Sequence, residues 1–268
     1  FRTVEELLGS DFIPLRDGFL KVEVDGPGAV GFELIELEGT VFGLNAATDH
    51  DAATIYSGQL GHGNGFFTNL NLVNPTDSFV HITLTAFIQG KDSIDERTST
   101  LSLTPNQSFQ KGVDELFGLP QLPADTIVGS IQVDSTAAGI IGDVVFGDPE
   151  SVRFAAALPL QTRLFTRAIH SQVSNGFHSS NPGLDSFTGL ALFNPGTEQN
   201  EVTIEVYDQD GKLVGDSAIV LGPRERISQI LAILVPETVG LVRGSVLLIS
   251  TRPLVAQELF GNADLHYL

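Results

Sequence analysis

The chain has 268 residues, 42% of them hydrophobic and only 18% charged, so it can build one or two cores and is too apolar to be disordered. Its 14 Lys and Arg stand against 33 Asp and Glu, and a net charge of −19 repels phosphate backbones and argues against nucleic acid. The longest apolar runs, 227–235 and 246–249, fall short of the roughly 18–20 residues of a membrane-crossing helix, and the lack of Cys removes disulfides, thiol nucleophiles and thiolate metal sites.

The chain opens at Phe1 with no Met anywhere and no signal-peptide n- and h-regions, so it reads as a processed secreted chain or an excerpt of a longer one. In residues 1–46, Leu20, Val22 and Val24 alternate with Phe19, Lys21 and Glu23, and Val30, Phe32 and Leu34 repeat the pattern, with Val41 and Leu44 beyond. These are strands with one apolar face. A polar linker with Asp49, His50 and Asp51 follows.

Next come short alternating segments bounded by Gly, Pro, Asn and Asp, which predict strands near 53–59, 66–73, 79–88, 97–103, 129–134, 138–146 and 151–158. A second set is expected near 165–172, 187–193, 201–207, 213–221, 243–249, 253–260 and 264–268. Only 113–117, its copy at 4–8, and 227–234 suggest short helices. Asp208-Gln209-Asp210-Gly211 reads as a hairpin turn, because Asp-Gly supplies the positive φ such a turn needs.

The two sets are copies of one another. Residues 65–75 (GFFTNLNLVNP) match 186–195 (SFTGLALFNP), 80–87 (VHITLTAF) match 200–207 (NEVTIEVY), and 101–105 (LSLTP) match 219–223 (IVLGP). Gly129-Ser130-Ile131 then matches Gly244-Ser245-Val246, and Val145-Phe146-Gly147 matches Leu259-Phe260-Gly261. Residues 4–9 (VEELLG) resemble 113–118 (VDELFG), 18–25 fall on 129–134, and 39–46 fall on 150–157, so the N-terminus carries the back half of a third unit. The expected organisation is all-β: a half repeat at 1–49, a tandem Greek-key antiparallel β-sandwich at 50–160, and another at 161–268.

Three stretches carry a family resemblance: Leu190-Ala191-Leu192-Phe193-Asn194-Pro195-Gly196, the strand at 202–207 with Asp210-Gly211, and the Leu221-Gly222-Pro223 turn. The pattern resembles the tandem immunoglobulin-like or fibronectin type III-like sandwiches of bacterial secreted and cell-surface proteins. It departs from true immunoglobulin domains in having no Trp and no paired Cys. The resemblance implies an extracellular spacer, adhesive or assembly module without family-wide catalytic residues.

Candidate chemistry is sparse. Among His50, His62, His81, His170, His178 and His266 no pair has the i, i+4 spacing of a helical metal site, and His81 and His170 are expected at a surface or sheet edge. Asp49-His50-Asp51 could ligate a metal but suits a polar linker equally well. Asp208 and Asp210 resemble the start of a calcium loop, yet Lys212 and Leu213 follow instead of further oxygen ligands. Gly61-His62-Gly63-Asn64-Gly65 leads into a strand rather than the helix that a phosphate loop needs. Ser130 and Ser245 occupy equivalent repeat positions, which suits a structural role better than a nucleophile's. The sequon Asn106-Gln107-Ser108 is too short a pattern to carry weight.

These readings assign no catalytic, cofactor-binding or metal residue. They point to a non-enzymatic extracellular structural protein, a surface filament, stalk or adhesin-like module, without cofactor. Its partners are expected to be other copies of itself or a larger assembly, contacted through residues 1–46, which should pack against another chain or against the second unit. The alternatives are a carbohydrate-binding module of a secreted enzyme, for which only Tyr56, Tyr207 and Tyr267 could stack on a sugar, and a hydrolase with an opposed carboxylate pair. The second unit is expected to follow the first stiffly, because 159–162 (PLQT) run into the next strand without a Gly/Ser spacer.

Overall fold

The computed structural model describes residues 19–22, 25, 31–37, 40–47, 51–121, 123, 125–148, 154–176 and 185–262. Strands dominate, as the alternation requires. In β5 (Val80–Gln89), Val80, Ile82, Leu84 and Ala86 are buried while His81 and Thr83 face water. The β-branched and Phe-rich segments suit a pleated, half-buried surface better than a helix.

The first pair of sheets is built from β3 (Thr54–His62), β4 (Phe67–Asn74), β5, β6 (Ile94–Leu103), β7 (Gln107–Gly112), β8 (Ile127–Ser135), β9 (Ile141–Gly147) and β10 (Ala155–Pro159). The strand orders are β3-β8-β5-β6 and β10-β9-β4-β7, and every pairing is antiparallel. Ile55, Ile82, Leu84 and Ile131 from one sheet and Leu70, Leu72 and Val144 from the other share one core. The one-turn helix α1 (Val113–Phe117) closes this core with Val113, Leu116 and Phe117.

The second pair uses β11 (Phe165–His170), β12 (Ser186–Phe193), β13 (Asn200–Asp208), β14 (Leu213–Leu221), β15 (Arg226–Ile230) and β16 (Gly244–Asn262). β16 is 19 residues long. Its first part pairs with β13 and β11, and its last part, from Val255 to Asn262, pairs with β12. One continuous strand thus does what β8 and β9 do separately in the first sandwich. Val202, Ile204, Val206, Val246 and Leu248 pack against Leu190, Leu192, Leu254 and Ala256 across the second core.

The two Asn-Pro turns are built alike. Asn74 is fully buried, and its Nδ2 lies within hydrogen-bond distance of the carbonyls of Ser78, Leu103 and Thr104. Asn194 does the same with the carbonyls of Glu198, Leu221 and Gly222. An amide is the short side chain that can serve several inward-turned carbonyls at once.

Two expectations are corrected. The stretch 227–234 is not one helix: Arg226–Ile230 is an edge strand on β12, and only α2 (Leu231–Leu234) is helical. Pairing with β12 overrides the local pattern, and its counterpart β7 was missed for the same reason. The N-terminal strands β1 (Phe32–Leu37) and β2 (Thr40–Asn45) form a hairpin that rests on the first sandwich, where Ile35 packs against Phe67, Val145, Ala155 and Ala157. Its other face is not covered by the second unit: Phe32 and Leu34 are exposed, as are Phe19, Leu20 and Val22 before it. Residues 19–22 form no strand.

Candidate functional site

Most sequence candidates are absorbed by the fold. Asp49, His50, His178, His266 and Tyr267 lie outside the described residues. Asp208 spends one carboxylate oxygen on its own turn, accepting the backbone N–H groups of Asp210 and Lys212 at 2.9 Å each. Among the described residues no cluster of three metal-ligating side chains forms. His62 is buried with Nε2 2.8 Å from the Pro120 carbonyl, and the glycines beside it make a tight turn in which Gly63 and Phe66 exchange backbone hydrogen bonds. That turn needs φ values of 82° at Gly63 and 85° at Gly65, which only glycine adopts without strain. His81 is exposed on the central strand β5, with Nδ1 2.9 Å from the Ser102 hydroxyl. Ser130 is buried next to Phe87 in register, and Ser245, only partly buried, stands next to Tyr207.

His170 lies on β11, an edge strand that pairs with β16, as expected of a sheet edge, but its side chain turns inward. A register shift between Phe165 and Arg167 leaves Ala168 and His170 pointing to the core side of β11. There His170 Nδ1 lies 3.7 Å from Glu258 Oε2 on the opposing sheet, with side-chain exposures of 18% and 12%. That is too long for a hydrogen bond, and His170 Nε2 and Glu258 Oε1 have no partner among the described residues. Burial pushes the Glu258 carboxyl up to about 7 and holds the His170 imidazole below its ordinary value. No sequence signal marks the pair by itself; the matching strand registers do, because they place Ser57 and the fully buried Val144 at the same two positions of the first sandwich.

The richest polar constellation is the junction between the sandwiches. The outer face of β3-β8-β5-β6 meets the outer face of β12 and the end of β16. Phe87 and Phe193 lie 5.6 Å apart between ring centres, buried with Val255 and flanked by Tyr56, Ile94 and Leu164. Leu259 packs into a second patch with Phe66, Phe146, Phe154 and Ala156 of the first sandwich.

Glutamines stitch this surface. Gln257 accepts the Gly58 N–H at 2.9 Å and donates to the Pro159 carbonyl at 3.1 Å. Gln161 donates to the Ala256 carbonyl at 2.7 Å and accepts its N–H at 3.0 Å. Gly58 is free to meet Gln257 because β3 bulges between Ser57 and Leu60, leaving its N–H outside the ladder.

Two arginines complete the joint. Arg224, held at φ 60°, lays its guanidinium 4.9 Å from the Phe87 ring centre and donates to the Pro195 carbonyl and to Gln132. Arg226 is buried, donates to Gln59 at 3.1 Å and to Gln89 through its backbone, and burial lowers its pKa to about 10. Even so it stays charged at neutral pH, served by amides.

Tyr56 and Tyr207 are both engaged. The Tyr56 ring packs into the junction, at the edge of a cleft of about 320 Å³ that Asn194, Glu198 and Arg252 also line. Its phenol is pushed up by burial and then by the Asp134 charge. Tyr207 donates its hydroxyl to Glu205 at 2.6 Å, which raises its pKa. Asp143, on the outer face of β9, accepts from Asn71 at 2.7 Å; burial first, then the charge of Glu33 on the hairpin, raises it to about 6 against the Asn71 hydrogen bond.

No family model matches the chain, and no curated protein matches it. Solved structures similar to it include the Anabaena sensory rhodopsin transducer, 17% identical with a TM-score of 0.31, over 35% of this chain and 95% of that one. Another is a Parabacteroides distasonis protein whose description as secreted is provisional, 9% identical with a TM-score of 0.22, over 87% of this chain and 88% of that one. At TM-scores this low neither likeness carries an argument.

Proposed function

We propose that the chain is a non-enzymatic structural spacer of the extracellular or cell-surface kind, made of tandem Greek-key sandwiches at 50–160 and 161–268 with a half repeat at 1–49. The junction carries this reading. Two Phe rings, Val255, five glutamine side chains and two arginines hold one sandwich against the next, far more than a tether between independent modules requires. Such a joint transmits orientation and load. The acidic surface with only four Lys suits a salty medium. The engagement of Tyr56 and Tyr207 favours this reading over a sugar-stacking platform.

Small-angle scattering tests it. A single stiff particle is expected, and Gln161→Ala with Gln257→Ala should broaden its distance distribution. A broad distribution in the unaltered chain would refute the spacer reading. Micromolar glycan binding lost on replacing Tyr56 would move the assignment to carbohydrate recognition.

A further inference from the structure

The first sandwich covers its outer β3-β8-β5-β6 face with the second sandwich; among the described residues no sandwich covers the equivalent face of the second. The registers align the two faces residue by residue. Tyr56, Gln132 and Thr85 stand in one row across β3, β8 and β5, and Ile169, Leu247 and Glu205 stand in the same row across β11, β16 and β13. Phe87 beside Ser130 corresponds to Tyr207 beside Ser245. Phe87 is 3% exposed because the junction covers it; on the other face Leu247 in mid-row is 8% exposed, and the open apolar positions lie at the edges, with Ile169 67% exposed. Val220, on the same outer face of β14, is exposed as well.

The receiving surface is also duplicated. In the second sandwich it is Phe193 beside Val255, Ala191 beside Gln257, and Gly189 beside Leu259. In the first sandwich the same register places Val73 beside Ile141, Asn71 beside Asp143, and Asn69 beside Val145. The apolar row survives, and Asp143 stands where Gln257 accepts a backbone N–H from its neighbour.

We propose that the outer face of β11-β16-β13-β14 docks a second copy of this chain, on the outer face of that copy's β10-β9-β4-β7 sheet, and that the β1–β2 hairpin caps the receiving face. The cap follows from the template within the chain. At the junction, Phe146, Phe154 and Ala156 of the first sandwich rest on Leu259. Val145 is the counterpart of Leu259, and Ile35 of the hairpin rests on it. The hairpin therefore holds the place that an incoming sandwich would take, and an incoming copy must displace it. Contact between unlike faces leaves every added copy with one docking and one receiving face still free, so an uncapped chain adds copies head to tail, into a ring or a filament.

This inference rests on the spacer reading, and sedimentation velocity tests it separately. Neither main core contains a residue before Ala52, so a chain begun at residue 51 keeps both. The full chain should be monomeric at tens of micromolar. The shortened chain, checked for cooperative unfolding, should associate beyond a dimer as its concentration rises. Ile169→Glu should return it to monomer, whereas Val242→Glu, exposed on the loop before β16 and beside Gly176, should not. Ile35→Glu in the full chain loosens the cap without trimming and should also release association. A folded shortened chain that stays monomeric at hundreds of micromolar, or association indifferent to Ile169→Glu, overturns the docking face. Association of the unaltered full chain at tens of micromolar overturns the cap. A shortened chain that scatters as a stiff but monomeric particle at hundreds of micromolar would sink this joint and leave the spacer reading standing.

Discussion

Replacing Glu258 by Gln removes an ionisable group from the second core while keeping its shape, and the effect should depend on pH. In the folded chain the carboxyl titrates at about 7, against an ordinary 4.5. The fold therefore favours the protonated form. Relative to Gln, the wild type loses stability as pH rises from about 4.5 to about 7 and loses no more above that. At about 1.4 kcal/mol per pH unit the full displacement is worth about 3 kcal/mol, and solvent at the exposed edge of the side chain lowers that to about 2. His170 works in the opposite direction: its lowered pKa costs stability as pH falls below 6.5. Both proteins keep His170, so their difference isolates the carboxyl. Urea unfolding from about pH 5.5 to about pH 8, above the pI of 4.4, should show the Gln variant gaining about 1–2 kcal/mol on the wild type across that range. A gap that stays constant with pH would refute the buried, uncompensated carboxyl.

Four further outcomes are expected. Asn74→Ala and Asn194→Ala should each cost about 2–3 kcal/mol in urea unfolding, because buried carbonyls lose their donor; a loss under half a kcal/mol would contradict the shared role of these amides. Phe193→Ala should cost about 3–5 kcal/mol and expose Phe87 to solvent, seen as faster hydrogen exchange along β5 and β12. Asp143→Asn should gain on the wild type by about 1–2 kcal/mol as pH rises from about 4 to about 6, since burial and Glu33 disfavour the carboxylate, and a pH-independent difference would count against that cause. Gly142→Ala should destabilise by about 1–3 kcal/mol, because its Cβ would stand 2.3 Å from the Asn71 carbonyl oxygen and β4 and β9 would have to part; an unchanged thermal midpoint would rule out that close approach.

The sequence makes the strands legible where alternation runs long. Val80–Gln89 and Asn200–Asp208 show it over nine or ten residues, and their Asn-Pro neighbours align the copies. Gln107–Gly112 and Arg226–Ile230 were not legible, being five or six residues held by β4 and β12 rather than by their own pattern. The junction was anticipated only as a short connection. Glutamine carries no period and no charge, so nothing in 161 or 257 announces a partner nearly a hundred positions away. His170 and Glu258 were hidden for the same reason, although comparing copies position by position exposes them: an acid stands where the other copy has valine.

The continuity of β16 has a mechanical consequence. In the first sandwich β8 and β9 belong to different sheets and are joined by a loop through residues 136–140. In the second, a single backbone passes from one sheet to the other near Pro253, and the two layers share that strand. A force that slides one layer past the other must then strain a covalent chain as well as break a ladder of hydrogen bonds. Of the two modules, the second should resist shear to higher force, and the weaker first one should yield earlier when the chain is pulled from its ends.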